Sequence, residues 1–195
     1  MTRIRIRQRY RISQGDIFRE IEYIEYVAEK KGIIEVSRIV FPLVIVLTQD
    51  CDLEGDHKFR WGRESKSQDK LLISVLVAPL YNAEQVYLGE HLSNLDMKME
   101  FINPKKSPGE FLRKNERPRY HYLTFPSSHP LVDCIVDFKH YFSVNVQYLR
   151  HISRNNFVCR LAELDREDLS QRFASYLSRI GLPDQSISKP APSPV

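Results

Sequence analysis

The fold is decided by residues 41–52, which read Phe41-Pro-Leu-Val-Ile-Val-Leu-Thr-Gln-Asp-Cys-Asp52. Residues 43–47 are five consecutive apolar residues, mostly β-branched, and such a run predicts a strand buried on both faces. Polar and acidic residues follow at the strand's exit, where side chains held by a rigid element can converge. We therefore expect the core and the candidate chemistry to meet at this point.

The composition is that of an ordinary globular protein. Its 195 residues suit one domain, and 42% hydrophobic with 28% charged residues is typical of a chain that buries a core. No run approaches the roughly 18 apolar residues of a membrane span, and the N-terminus has no apolar signal-peptide region. Cys51, Cys134 and Cys159 are an odd number at wide spacing, which fits neither a disulfide framework nor a zinc site. The sequence predicts a cytoplasmic protein with reduced thiols and no membrane association.

Arginines occupy every second position near the N-terminus, so that an extended strand would place them on one face: Arg3, Arg5, Arg7, Arg9 and Arg11. One interpretation is a solvated strand face or a disordered arm. The other is a row of phosphate contacts, because guanidinium groups bind phosphate bidentately and the net charge of +4 permits a nucleic-acid partner. In that case Arg3, Arg5 and Arg7 bind nucleic acid.

A hairpin is predicted before the central strand. Residues 17–28 are rich in Ile and Tyr, and although their spacing also fits a helix, the turn-like Lys30-Lys31-Gly32 that follows favours strands. Residues 33–40 form the return strand and 43–48 the central one. The other predicted elements are a short helix and loop over 53–70, a buried strand over 71–80, a helix over 83–95 started by Asn82, an irregular basic segment over 103–118, and strands over 119–125, 132–138 and 141–148.

Residues 166–180 are the clearest predicted helix, with Asp165 as N-cap and with Gly181 and Pro183 ending it. Its apolar stripe consists of Leu169, Phe173, Tyr176, Leu177 and Ile180. Residues 184–195 can bury nothing and are predicted to be disordered.

These elements predict a mainly β fold with helices, of the α+β class. No βαβ alternation appears, which argues against a doubly wound parallel sheet. A small antiparallel barrel fits best, with a mid-chain helical insertion and a C-terminal helix packed on it.

Gln14-Gly15-Asp16-Ile17, a hairpin, and then the strand that begins Phe41-Pro42 resemble the opening of the MazF/PemK toxin family. The resemblance covers residues 14–81 and, more weakly, 137–181. It implies an SH3-like barrel, often a homodimer, that cuts or binds single-stranded RNA. A toxin of this kind has a protein partner such as an antitoxin. On this resemblance residues 1–183 form one barrel domain, with insertions at 53–70 and 82–118.

The chain departs from that family at its catalytic positions. The family's catalytic Arg lies just before the Pro, where this chain has Phe41 and only Arg38 nearby. The family's Ser or Thr after the second buried strand is replaced by Tyr81-Asn82. The resemblance therefore suggests a divergent branch, marked by Gln-Asp-Cys-Asp at 49–52 and Arg-Tyr-His-Tyr-Leu at 119–123.

Asp50 and Asp52 follow the central strand and are candidate catalytic residues. Residues 50–56 match the first half of an EF-hand loop, but position twelve is Trp61, where calcium needs a bidentate Glu. A Mg²⁺ site on two of the carboxylates demands less, yet no metal and no cofactor is predicted. The alternative is a capping role at the start of a helix. Cys51 between them is predicted to be a buried structural thiol, because nearby negative charge disfavours the thiolate.

Arg119 and His121 complete the predicted catalytic set, as phosphate clamp and general acid in RNA cleavage. The alternative for His121 is a half-buried histidine with one hydrogen bond. Asp137 and His140 are three residues apart and could pair, but strand geometry would place them on opposite faces.

Basic residues with aromatic neighbours recur at Arg60-Trp61-Gly62-Arg63 and around Arg117. Aromatic faces stack on bases while cations hold phosphates, so Arg60, Trp61, Arg63 and Arg117 are predicted nucleic-acid contacts. The leading hypothesis is a nucleic-acid-associated barrel of a toxin, phage-defence or phage-linked system that acts on RNA. The alternative is a non-catalytic protein-interaction module, because Tyr, Trp and Arg also dominate protein interfaces.

Overall fold

The computed structural model describes residues 1–6, 11–61, 68–129 and 131–179, and in these the fold is mixed α+β, as predicted. No helix of the described ranges is long and apolar enough to span a bilayer. The strands there are β1 (Ile4–Arg5), β2 (Asp16–Lys30), β3 (Ile33–Val46), β4 (Ser74–Asn82), β5 (Tyr120–Leu123), β6 (Cys134–Asp137), β7 (Phe142–Asn145) and β8 (Phe157–Leu161). The helices are α1 (Asp50–Trp61), α2 (Ala83–Leu88), α3 (Gly109–Arg113), α4 (Val146–Asn156) and α5 (Glu163–Leu177), with 3₁₀ turns at Ser93–Leu95 and Phe138–His140.

The strands form one curled half-barrel sheet in which neighbouring strands are antiparallel. The order is β1-β8-β2-β3-β4-β6-β5, and β7 also pairs with β4. Hydrogen bonds join the two ends of this path, since Thr2 N–H donates to the Thr124 carbonyl at 2.9 Å and Thr124 N–H donates to Thr2 Oγ1 at 3.1 Å. The chain segments just before β1 and just after β5 therefore lie side by side.

The central stretch separates two cores. Val44, Ile45 and Val46 are fully buried. All three pair with β4 on one side, and Val44 and Ile45 pair with β2 on the other. Ile45 packs in the core that contains Leu169 and Phe173 of α5. Val44 and Val46 pack in the other core, with β7 and α4. The prediction of a strand buried on both faces is confirmed, because successive side chains alternate between the two cores.

The outer part of the β2–β3 hairpin, residues 22–40, is called here the hairpin arm. β8 pairs with β2 at residues 16–18 and β4 pairs with β3 at residues 44–46, so these partners contact only the base of the hairpin. Lys31 and Gly32 both have positive φ, +54° and +78°, as two-residue hairpin turns require. The arm exposes the large apolar side chains of Tyr23, Ile24, Tyr26, Val27, Ile33, Ile34, Val36 and Val40.

β3 is one strand, although the sequence predicts two that are separated before residue 43. The pairs Arg19–Leu43 and Ile21–Phe41 place Pro42 opposite Glu20. Glu20 has a φ of +55°, which is rare for a residue other than glycine and marks a local distortion of β2. Pro42 has no N–H to pair, and the strand continues past it at this distorted position.

α5 confirms the predicted C-terminal helix and most of its stripe. Leu169 and Phe173 are buried, while Leu177 is 51% exposed. The helix begins at Glu163, so the prediction of Asp165 as N-cap is wrong. Asp165 lies in the first turn and instead accepts a hydrogen bond from the Arg3 N–H at 3.1 Å. Ile180, the predicted stop at residues 181–183 and the predicted disordered tail lie outside the described residues.

Two predicted elements are wrong in extent. The strand predicted to reach residue 148 ends at Asn145, because the Asn145 side chain accepts hydrogen bonds from the N–H groups of Gln147 and Tyr148 and starts α4. The helix predicted over 83–95 does start at Asn82, but it ends at Gly89, where φ is +74°. A Cβ there would lie 2.4 Å from the Met99 carbonyl oxygen, so only glycine lets residues 99–102 pack against α2.

Other boundaries shift by a few residues. α1 begins at Asp50, before the predicted start at 53, and β4 begins at Ser74 instead of 71. The basic segment 103–118, predicted to be irregular, contains the short helix α3.

Candidate functional site

Asp50, the first predicted catalytic carboxylate, is held by two arginines. It accepts hydrogen bonds from Arg11 Nη1 at 3.0 Å, Arg11 Nη2 at 2.9 Å and the Gln14 N–H at 3.2 Å. Arg166 Nη1 lies 3.2 Å from Asp50 Oδ2. Burial acts to raise the pKa of Asp50, but the hydrogen bonds and charges of Arg11 and Arg166 outweigh it and lower that pKa. Asp50 therefore ties the N-terminal segment, α1 and α5 together.

A buried ion pair adjoins this contact. Arg160 Nε and Nη2 both donate to the carboxylate of Asp16, and Arg160 Nη2 also donates to the Arg11 carbonyl at 3.1 Å. Gln14 Nε2 donates to the Leu47 carbonyl at 2.9 Å. The charged groups of this region satisfy one another, which supports the structural alternative for Asp50. We call the group the polar cluster; it comprises Arg11, Gln14, Asp16, Asp50, Arg160 and Arg166.

Asp52 and Cys51 lie in the exposed first turn of α1. The prediction that Cys51 is buried is wrong, because the buried positions of this helix are Leu53 and Asp56 and Cys51 falls on the solvent side. Residues 50–61 form a helix and not an EF-hand loop. Among the residues with described positions, no group of three or more His, Cys, Asp or Glu could hold a metal ion. Cys134 and Cys159 are buried, as expected, and burial raises the pKa of each thiol to about 12.

His121 is part of β5, its side chain faces Asp168 of α5, and it is almost completely buried. Burial, with a smaller effect of the Arg172 charge, lowers the pKa of His121 to about 3, so the imidazole is neutral. Its Nδ1 lies 3.9 Å from Asp168 Oδ2 and has no hydrogen-bond partner in the part of the chain that the structure describes. No hydrogen bond or ion pair joins His121 to Asp50 within those same ranges. The predicted catalytic residues thus have separate partners.

Several predicted nucleic-acid contacts are engaged elsewhere. Arg5 pairs with Glu163 at 3.4 Å on the first turn of α5. Arg60 donates from Nε to Asp56 at 2.7 Å and from Nη2 to the Leu72 carbonyl at 2.5 Å. Trp61 is 74% exposed at the end of α1. Arg7, Arg9 and Arg63 lie outside the described residues.

Arg117 and Arg119 line a cavity of about 380 Å³ beside β5, together with Arg179 just after α5. We call it the basic cavity. It also contains one carboxylate, that of Glu100, so the positive charges outnumber the negative ones. Neither Arg117 nor Arg179 forms a salt bridge with any carboxylate of residues 1–6, 11–61, 68–129 or 131–179. The other lining residues are Val86, His91, Met99, Ile102, Pro118 and Tyr120.

Arg172 of α5 positions the loop that carries two of these arginines. Its guanidinium donates to the carbonyls of Asn115, Arg117 and Tyr120, at 2.9 Å for Arg117 and 2.7 Å for Tyr120. Three charge-assisted hydrogen bonds from one side chain fix the backbone of this loop relative to α5. The C-terminal helix therefore helps to form the cavity as well as the core.

A hydrogen-bonded network lies behind the cavity. Arg119 donates to Asp137 from Nε at 2.8 Å and from Nη2 at 2.5 Å, and Asp137 is fully buried. His140 Nδ1 lies 3.5 Å from Asp137 Oδ2 and 3.1 Å from the Tyr81 hydroxyl. The prediction that Asp137 and His140 lie on opposite faces is wrong, because β6 ends at Asp137 and the 3₁₀ turn returns His140 toward it.

His91, like Arg179, is a site residue that sequence reasoning missed. It lines the basic cavity, and its ring lies 4.7 Å from that of Tyr81, centroid to centroid. Burial lowers the pKa of His91, so its imidazole is neutral near pH 7. Both ring nitrogens are shielded from solvent, and a hydrogen-bonding contact with the Gln85 backbone acts against the effect of burial on the pKa of His91. No local pattern marks this histidine; the nearest signal is Gly89, which ends the preceding helix.

No protein-family model matches the sequence, and no curated protein matches it either. The chemistry of the basic cavity is therefore inferred from the side chains that line it. Guanidinium groups at its wall suit a phosphate, and a neutral imidazole beside them can accept a proton.

Proposed function

We propose that this protein is a nucleic-acid-associated barrel, a divergent relative of the MazF/PemK toxins, that holds single-stranded RNA by a phosphate in the basic cavity. The observation that carries the proposal is the convergence of Arg117, Arg119 and Arg179 on one cavity with His91. These residues come from three distant parts of the chain, around positions 91, 117–119 and 179. Two of the three guanidinium groups have no carboxylate partner among the described residues. Unpaired arginines in a concave site are the groups that bind phosphate bidentately.

The same geometry supports endoribonuclease activity within this proposal. The neutral imidazole of His91 would accept the proton of a ribose 2′-hydroxyl as that oxygen attacks phosphorus. The bond from phosphorus to the 5′-oxygen breaks, and the 5′-oxygen takes a proton from water. The arginines would stabilise the charge that develops on the phosphate. His91 replaces His121 in this role, because His91 lines the basic cavity and His121 does not.

Binding is tested with a fluorescein-labelled single-stranded RNA dodecamer, by anisotropy over a range of salt concentrations. We expect the double variant Arg117→Ala/Arg179→Ala to bind more weakly, with the slope of log K against log salt reduced by about 0.7 for each lost phosphate contact. Arg119 is left intact, because its removal would leave buried Asp137 unpaired.

The matched control is Arg38→Ala, which removes an arginine from the hairpin arm, where it pairs with Glu22. Equal affinity of the double variant and the wild type would rule out the basic cavity as the RNA site. For cleavage, His91→Ala is expected to bind the dodecamer and fail to cut it; undiminished cutting would remove His91 from the mechanism.

A cytoplasmic location and a role in a toxin, phage-defence or phage-linked system belong to the same proposal. The three cysteines are free thiols, which fits a reducing compartment. A toxin of this kind would be held inactive by an antitoxin, and co-expression with the product of the adjacent gene tests that relation.

The hairpin arm favours a second candidate function, a protein-interaction module. It exposes apolar side chains on a segment whose strand pairing, in the part of the chain that the structure describes, is within the hairpin itself. Exposed apolar patches mark interaction surfaces. Sedimentation of the wild type and of a variant with a shortened arm tests whether the arm holds a second copy or another protein. An unchanged mass and an unchanged set of co-purified proteins would exclude this function.

A further inference from the structure

A second, mainly apolar cavity of about 230 Å³ lies next to the basic cavity. Its walls come from residues 39–43 of β3, from residues 79–82 of β4 and from the segment around Leu92 and Leu95. His91 lines both cavities, and the ring of Tyr81 in the apolar cavity lies 4.7 Å from it. The His91 side chain therefore lies between the two cavities and lines each of them.

Amide side chains stand at the edge of this apolar space. Gln85 and Asn94 both line it, and neither side chain makes a hydrogen bond to the part of the chain that the structure describes. Each amide offers a donor and an acceptor, the combination that hydrogen-bonds the edge of a nucleobase. An apolar space with a few free amides suits a flat heterocycle better than an aliphatic chain, which has no hydrogen bonds to make.

We infer that the apolar cavity is a nucleobase subsite for the nucleotide whose phosphate occupies the basic cavity. This inference rests on the proposed function and specifies its ligand: a base flanked by a phosphate, with His91 between them. Together the two cavities fall within the roughly 300–1,000 Å³ of ordinary ligand sites. Tyr81 and the prolines of β3 and β4 supply flat surfaces for the base, and Gln85 and Asn94 face its edge.

The test compares two fluorescein-labelled single-stranded octamers, a mixed-sequence RNA and an abasic ribose-phosphate oligomer of the same charge. We expect the wild type to bind the RNA at least about tenfold more tightly than the abasic oligomer. Val132→Trp, which introduces a large side chain at an exposed position lining the apolar cavity, should remove this difference and leave affinity for the abasic oligomer unchanged.

The matched control is Val36→Trp, the same change at an exposed valine of the hairpin arm, which should keep the preference for bases. Gln85→Ala/Asn94→Ala should reduce the discrimination among U, A and C homopolymers. Equal wild-type affinity for the two octamers, or a base preference that Val132→Trp leaves intact, would overturn the subsite. If binding still depended on Arg117 and Arg179, the proposed function would be retained without the subsite. If neither octamer bound, the subsite and the proposed function would both be rejected.

Discussion

The imidazole of His121 packs near the ring of Phe138, at 6.3 Å between centroids, with 2% of the residue exposed. Its pKa falls from about 6.5 in an unfolded chain to about 3 in the folded protein. Both states are neutral above pH 6.5. Below that pH the His121 imidazole is protonated in the unfolded chain, whereas in the folded protein it stays neutral until about pH 3. The free energy of unfolding therefore falls as pH falls from about 6.5 to about 3.

We predict that His121→Leu makes the protein less sensitive to mild acid. Between pH 7 and pH 5 the wild type should lose about 2 kcal/mol more unfolding free energy than the variant, because the unfolded histidine gains its proton in that range. Urea denaturation at the two pH values measures the unfolding free energies of the wild type and of the variant. His91 and His140, whose pKa values burial also lowers, remain in both proteins, so the difference belongs to His121. Parallel pH dependences would contradict the buried neutral state.

At the scale of an element, α5 has two distinct sides. Leu169 and Phe173 enter the core, and the Phe173 ring contacts Phe138 at 5.3 Å and Tyr141 at 5.4 Å between centroids. Leu177, on the predicted stripe, is half exposed. A fifteen-residue helix is marginal in isolation, so its order depends on this packing.

Phe173→Ala is therefore expected to lower the free energy of unfolding by about 3–5 kcal/mol, through lost transfer energy and the cavity left behind. Leu177→Ala, a truncation on the same helix, should cost less than about 1 kcal/mol, since its side chain stays largely in water. Chemical denaturation compares the two. A Phe173→Ala protein as stable as the wild type would show that α5 does not contribute to the core.

At the scale of the whole molecule, the Asp16–Arg160 pair joins β2 to β8, which are 144 residues apart in the chain. Both side chains are buried, so removing one charge leaves the other buried without its counter-charge. We expect Asp16→Ala to cost about 3–5 kcal/mol, and the double variant Asp16→Leu/Arg160→Met to cost much less than the sum of the two single changes.

The exposed pair Glu22–Arg38 provides the comparison, because both side chains are partly solvated. Glu22→Ala should cost less than about 1 kcal/mol. Equilibrium unfolding of all these variants gives the coupling free energies. Additive effects at Asp16 and Arg160 would mean that the pair contributes no more than its separate side chains.

The sequence predicted those parts of the fold that depend on local pattern. Residues 43–47 form a strand buried on both faces because a continuous apolar run has no polar side to expose. The hairpin and the C-terminal helix followed from turn chemistry and a period of 3.6 residues. The start of α4 was missed because Val144 and Val146 continue the alternation of a strand, while Asn145 between them caps a helix.

Much less of the candidate site could be predicted. Arg117 and Arg119 were proposed as ligand contacts, and both line the basic cavity. His91 and Arg179 lie far apart in sequence, and tertiary packing, including that of α5 against the loop at 115–120, brings them to one cavity. Asp50 was predicted to be catalytic because carboxylates that follow a buried strand often are catalytic. In the structure it is hydrogen-bonded to Arg11 and ion-paired with Arg166, both distant in sequence. A single sequence contains no information about such pairings beyond the residue types.

The three carbonyls bound by Arg172 make α5 and the basic cavity parts of one thermodynamic equilibrium. If the loop at 115–120 is ordered only while α5 is docked, a ligand that binds Arg117 and Arg119 also opposes undocking of the helix. By reciprocity, a mutation that destabilises the docked helix lowers the affinity for that ligand. Amide hydrogen exchange along residues 163–177 should therefore slow when RNA is added. Arg172→Met should uncouple the two, so that RNA no longer changes exchange in the helix.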